Sequence, residues 1–157
     1  MVSKYSDTKN GEIDKQEFIE KNVNVVDYKT GQYATAKDYF KRPNTEAVQK
    51  AIEQNNDVKF EDEFGGNYWR QALFYKILMD YDKLNNWQMT SCEFDFIEPD
   101  KISGNYIKEK VVIIPEDVEI VKQQISLSYA KIKNKEFSKG CGKGNCHWCN
   151  FAKDYYS

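Results

Sequence analysis

Three residues of this chain, Asp14, Asp27 and Lys29, have the types and the spacing to do chemistry together. The segment Val23 to Lys29 (VNVVDYK) is compact and β-branched, and side chains alternate along a strand, so Val23, Val25, Asp27 and Lys29 share one face. Two valines on that face must point into an interior, which carries an acid and a base to its margin. An unpaired carboxylate or ammonium there is costly, and a bound cation together with a phosphate would offset both costs. Gly11 to Glu20 (GEIDKQEFIE) alternates imperfectly, and the short Lys21-Asn22 link makes it the antiparallel partner of the second strand. Asp14 would then lie on the neighbouring strand, with its carboxylate able to converge on that of Asp27. Facing carboxylates repel unless something cationic sits between them. Magnesium or manganese suits such a place, because magnesium takes oxygen ligands and is usually held by one or two carboxylates, with waters and a substrate phosphate. Lys29 would orient the attacking water or stabilise the charge that builds on the phosphate. Taken alone, a D-x-K tripeptide is common, and an ordinary ion pair at a strand end is the plainer reading.

The order of three segments changes that weighting. GEIDK, then VVDYKTG, then RQALFYKIL resembles the nuclease domain of the RecB-like branch of the PD-(D/E)XK superfamily, and the similarity runs from Gly11 to the C-terminus. In that family a G-x-x-D strand precedes a D-Y-K-T-G strand, and a helix with Q-x-x-x-Y follows. The resemblance implies an α+β domain with a restriction-endonuclease-like central mixed sheet flanked by helices, and metal-dependent hydrolysis of DNA phosphodiesters. It implies Asp14 and Asp27 as metal ligands with the backbone carbonyl of Tyr28, Lys29 acting on the nucleophilic water, and Gln71 and Tyr75 supporting the site or contacting DNA. The i, i+4 spacing of Gln71 and Tyr75 puts them on one helical face, as any amphipathic helix could. By the same resemblance the DNA-cleaving domain would belong to a helicase-nuclease of the UvrD/Rep type in DNA repair or recombination, although no G-x-x-x-x-G-K-[ST] segment occurs here.

Two departures qualify the resemblance. The family has a further helix before the first strand, with a His or Glu that completes the metal site, whereas ten residues precede Gly11 and the single histidine is His147. The expectation is an N-terminally truncated domain that binds metal weakly or is inactive by itself. The alternative is a catalytically inactive nuclease-fold module for DNA binding or protein docking. The tail CGKGNCHWCNF resembles the cysteine cluster with which some of these nucleases hold a [4Fe-4S] cluster, which would assign Cys141, Cys146 and Cys149 as cofactor ligands. Such clusters take four thiolates, and the family's first one lies upstream of the nuclease motifs. Cys92 shares a strand face with Phe94 and Phe96 and reads as a buried thiol. Zinc held by the three tail cysteines and His147, or three reduced thiols with no metal, stay open.

The elements that must position these residues follow from periodicity and punctuation. A helix is expected over Thr45 to Gln54 after Pro43, and a strong one from Asn67, its N-cap, to about Asp82, with Trp69, Leu73, Ile77 and Leu78 on its buried face. Trp87 to Ile97 reads as a strand with Thr90, Cys92, Phe94 and Phe96 on one face, and Tyr106 to Ile114 as another. Pro115-Glu116-Asp117 opens a long helix to about Lys135, with Val118, Val121, Ile125, Tyr129 and Ile132 along one side. The expected organisation is a leader over 1–10, the nuclease domain over 11–139 and a cysteine-rich tail over 140–157.

Bulk properties set the frame. A length of 157 residues fits one domain with one core, and 40% hydrophobic with 15% aromatic residues supports a packed interior under a polar exterior. The N-terminus lacks the basic-then-apolar pattern of a signal peptide and no apolar run is long enough for a bilayer, so a cytoplasmic location is expected. With 23 basic and 25 acidic residues the formal charge is -2, which lacks the basic footprint of a free-standing nucleic-acid binder. A DNA substrate would need delivery by other domains, or local positive charge from metal ions.

Overall fold

A computed structural model describes residues 21–82, 84–101, 103–136, 146–147 and 149–151. The expected first strand with Asp14, and Cys141 in the tail, lie outside the described residues. Strand β1 spans Lys21–Lys29, so Lys21 and Asn22, expected to be a turn, are already in the strand. Helical pieces then lead from β1 to the next strand: α1 (Tyr33–Ala36), continued by a 3-10 turn over Lys37–Phe40, then α2 (Thr45–Glu53), α3 (Phe60–Phe64) and α4 (Asn67–Tyr81). Strands β2 (Trp87–Phe96) and β3 (Lys108–Val112) precede α5 (Pro115–Lys133). The molecule is α+β, with a small mixed sheet in the order β1-β2-β3 flanked by helices. β1 runs parallel to β2, as a crossover through a helix requires, and β2 is antiparallel to β3. Among the described residues no helix is long and apolar enough to cross a membrane.

The buried side of the sheet follows from the alternation in β1. Val23, Val25, Asp27 and Lys29 are partly buried while the residues between them are exposed, as the strand pattern predicts. Their partners on β2 are Met89, Cys92, Phe94 and Phe96. Here the expected face needs correction at Thr90. Val23 pairs with Met89 but Asn24 pairs with Ser91, so one extra residue is inserted at Thr90 and turns it out to solvent. The bulge brings Met89 and Cys92 to the same side, and with them the pattern carries on to Phe94 and Phe96.

α4 covers that side with Trp69, Ala72, Leu73 and Ile77, all buried. Side chains of this size stabilise by roughly 1.5–3 kcal/mol each when fully withdrawn from water. Leu78, expected on the same face, is exposed, and Gly66 rather than Asn67 is the N-cap. Gly66 is required by contact: a Cβ there would lie 2.3 Å from the Tyr39 carbonyl oxygen, and its N–H donates to the Lys41 carbonyl at 2.8 Å. Gly65 holds φ at +82°, a conformation that side chains oppose. The glycine pair thereby presses the start of α4 onto the 3-10 turn.

α5 departs most from its pattern. Val118 and Val121 are buried, but Ile125, Tyr129 and Ile132 are exposed. The walls formed by the later turns of α5 and by Asn67, Arg70 and Phe74 of α4 do not close on each other; they leave an open groove of about 560 Å³. β3 is also shorter than expected, confined to Lys108–Val112.

Candidate functional site

The last two inward positions of β1 meet one face of α4. Residues 68, 71 and 75 follow i, i+3, i+7 spacing, so Tyr68, Gln71 and Tyr75 form a stripe along the helix. The apolar face of the same helix docks on the sheet through Leu73 and Ile77, which turns this stripe toward Asp27 and Lys29. Gln71 Nε2 donates to Asp27 Oδ2 at 2.9 Å and Gln71 Oε1 accepts from Lys29 Nζ at 2.8 Å. Tyr75 Oη donates to Asp27 Oδ2 at 2.6 Å, and Gln71 and Tyr75 also bond to each other. Lys29 Nζ lies 3.3 Å from Asp27 Oδ1 and 3.4 Å from Oδ2. The two charged side chains keep only 15% and 16% of their surface exposed, which makes these partners a condition for burial rather than an ornament.

The arrangement is asymmetric at the carboxylate. Oδ2 takes bonds from the amide, the phenol and the ammonium, while among the described residues Oδ1 is approached by Lys29. The neutral donors orient the group, and the Lys29 ammonium stands within 3.4 Å of both oxygens. Lys29 O accepts from Ile97 N at 3.1 Å, and carbonyls alternate along a strand, so the Tyr28 carbonyl faces the edge of β1 away from β2. The Tyr28 side chain is 69% exposed on the opposite side of the sheet. Glu98 closes the end of β1 by accepting from Gly31 N at 3.2 Å and from Gln32 Nε2 at 2.9 Å.

Electrostatics record the negative field of Asp27. Tyr75 is held above its ordinary 10.0, first because its hydroxyl is bonded to Asp27 and second because it is buried. Tyr68 is also raised, by burial first and then by the nearby Tyr39 and Asp27. Burial pushes the Cys92 thiol up to about 12, with Asp27 adding to the shift, so Cys92 is the inert core thiol its strand position predicts.

The structure therefore brings Asp27, Lys29, Gln71 and Tyr75 into one hydrogen-bonded cluster across more than forty residues of sequence. Sequence reasoning missed the aromatic wall beside it. Lys29 Nζ sits 4.6 Å from the centre of the Tyr68 ring and 5.2 Å from that of Phe94. The helical spacing of Tyr68 to Gln71 was the signal that could have found it.

Among the described residues no group of three His, Cys, Asp or Glu side chains is placed to hold a metal ion. Oxygen atoms among the described residues at this end of β1 include Asp27 Oδ1 and the Tyr28 carbonyl. In the tail, Cys146 and Cys149 are partly buried and not in a disulfide, while Cys141 lies outside the described residues. Comparison with protein-family models, with curated proteins and with solved structures returned no match.

Proposed function

We propose that this chain is a divalent-cation-dependent nuclease domain that hydrolyses DNA phosphodiester bonds, with a restriction-endonuclease-like fold of the RecB-like PD-(D/E)XK type. The observation that carries the reading is the Asp27 carboxylate itself: Gln71 and Tyr75 both donate to one oxygen, and the Lys29 ammonium stands 3.3 Å from the other. The motif order of the sequence supports the same assignment.

A bound magnesium or manganese ion would supply Lewis acidity and neutralise charge on the phosphate. Asp27 Oδ1 and the Tyr28 carbonyl would hold it, with Asp14 the second expected carboxylate. Lys29 donates from its ammonium to the attacking water or to a non-bridging phosphate oxygen, where positive charge stabilises the transition state more than the ground state. Gln71 ties acid and base together by bonding to both, so neither can swing out alone. Tyr75 donates its proton to Asp27 Oδ2 and keeps Oδ1 presented. DNA would reach this acidic chain through a helicase portion of the same polypeptide or complex, and the tail cysteines, Cys141, Cys146 and Cys149, would hold an iron-sulfur cluster in that setting.

The test is cleavage of single- and double-stranded DNA with magnesium or manganese, comparing the wild type with Asp27→Ala and Lys29→Ala. Both substitutions should abolish cleavage, and activity surviving both would overturn the assignment. One observation favours a second reading, a nuclease-fold module that binds without cutting: among the described residues no group of three His, Cys, Asp or Glu side chains is placed to hold a metal ion. DNA binding that needs no cation and no cleavage under any of these conditions would select it.

A further inference from the structure

Lys29 carries the one ammonium of the cluster, on a flexible four-carbon stem that has many rotamers. Its hydrogen bonds to Asp27 and Gln71 restrain it from one side. Tyr68 walls the other side, with the ring centre 4.6 Å from Nζ, and Phe94 lies behind at 5.2 Å. The wall is itself immobilised. Tyr68 stacks on Phe94 with centres 5.1 Å apart and planes 19° from parallel, Tyr39 meets it edge-on at 5.3 Å, and Phe40 does so at 5.2 Å. Phe94 is fully buried and belongs to the core, whereas Tyr68 is only partly buried and lies on the same helical stripe as Gln71 and Tyr75.

The physics gives this ring a task that the polar partners cannot perform. A cation drawn to Asp27 Oδ1 would compete with Lys29 for the carboxylate and weaken their pairing. The attraction of an ammonium to a π face is independent of that carboxylate, and it strengthens where water is excluded. We infer that Tyr68 is the positioning residue for the Lys29 ammonium: its ring face and the Gln71 amide oxygen hold Nζ at the reaction centre when the Asp27 carboxylate is engaged elsewhere. This rests on the proposed nuclease reading of the Asp27–Lys29 site. The requirement is for an aromatic face and not for the phenol, because among the described residues no hydrogen bond from the Tyr68 hydroxyl supports the cluster.

The experiment pairs kinetics with a readout that does not depend on activity. Wild type, Tyr68→Phe, Tyr68→Leu and Tyr68→Met are compared for kcat and KM on DNA with magnesium, for thermal midpoint, and for the proton shift of the Lys29 ε-methylene, assigned by its loss in Lys29→Ala. The ring should shift that methylene upfield in wild type and Tyr68→Phe, and the shift should collapse in the Leu and Met variants. Their kcat should fall about tenfold with KM near the wild-type value, while Tyr68→Phe restores kcat. Leu and Met variants that fold and retain wild-type kcat would overturn the inference, as would a Phe variant as impaired as they are. If wild type itself does not cleave, the nuclease reading falls and the positioning role falls with it, and the methylene shift then reports the Lys29–Tyr68 contact by itself.

Discussion

Asp27 and Asp117, both largely withdrawn from water, meet different company. Asp117, in the first turn of α5, keeps 5% of its side chain exposed and accepts at Oδ2 from Arg42 Nε at 2.7 Å and from Trp69 Nε1 at 3.3 Å. Asp27, at the end of β1, accepts from an amide, a phenol and an ammonium that is shared with Gln71. Around Asp117 a guanidinium cancels the charge and a buried indole uses the same oxygen, so the group bolts α5 to α4 and to the segment after the 3-10 turn. Around Asp27 the shortest bonds come from neutral donors, and the Lys29 ammonium stands farther off, 3.3 Å from one oxygen and 3.4 Å from the other. The lesson is that two withdrawn acids can differ in the charge type and distribution of their donors, which is the difference the proposed function rests on.

The comparison breaks first at Asp27. Asp27→Ala should lower DNA cleavage by about 10³-fold or more, in the range of removing a central electrostatic group, with the thermal midpoint moved less than in Asp117→Ala. Asp117→Ala should do the reverse. It strands the Trp69 indole N–H in the core, which costs about 2 kcal/mol, or roughly 4–8 °C in a domain of this size, and leaves cleavage per folded molecule unchanged. Parallel melting and cleavage measurements on the two variants decide the matter, and equal profiles would erase the distinction.

Smaller substitutions sharpen it. Gln71→Leu, which unlinks the acid from the base, should cost about 10²-fold in kcat, and Tyr75→Phe, which removes one donor of three from Oδ2, about tenfold. Steady-state kinetics that reversed this order would make Tyr75 rather than Gln71 the organiser. Cys92, beneath the site, supplies a pH test. Its folded thiol is raised from 9.0 to about 12, so the neutral form is favoured by folding. That stability is complete below about pH 9, declines as pH rises between the two values, and is gone above about 12. Cys92→Ala should therefore flatten the alkaline loss of stability in urea titrations from pH 8 to 11. The smallest effect is expected at Ile132→Ser, on the open groove, within about 0.5 kcal/mol by the same titration, because that side chain is already exposed.

Much of this was legible in the residues. The alternation VNVVDYK set which side chains of β1 face inward, Trp69, Leu73 and Ile77 marked the docking face of α4, and Pro115 opened α5 at the expected residue. The failures share a cause. Thr90 was misplaced because a bulge is a property of two strands, and periodicity along one strand is blind to it. Ile125, Tyr129 and Ile132 were expected in the core because helical spacing marks an apolar face whether or not a neighbour covers it. The turn-rich stretch between Gly31 and Gly66 hid α1, the 3-10 turn and α3, which are too short for periodicity to register.

By itself the sequence determined that Asp27 and Lys29 share a strand face and that Tyr68, Gln71 and Tyr75 share a helix face, because the two-residue and 3.6-residue repeats are set by backbone geometry. Only the tertiary structure decided that those faces meet, which carboxylate oxygen the amide and the phenol bond to, and that an aromatic ring stands against the ammonium. Those outcomes depend on the parallel register of β1 on β2 and on the glycine contact that seats α4. They are relations between segments far apart in the sequence, which no local repeat can encode.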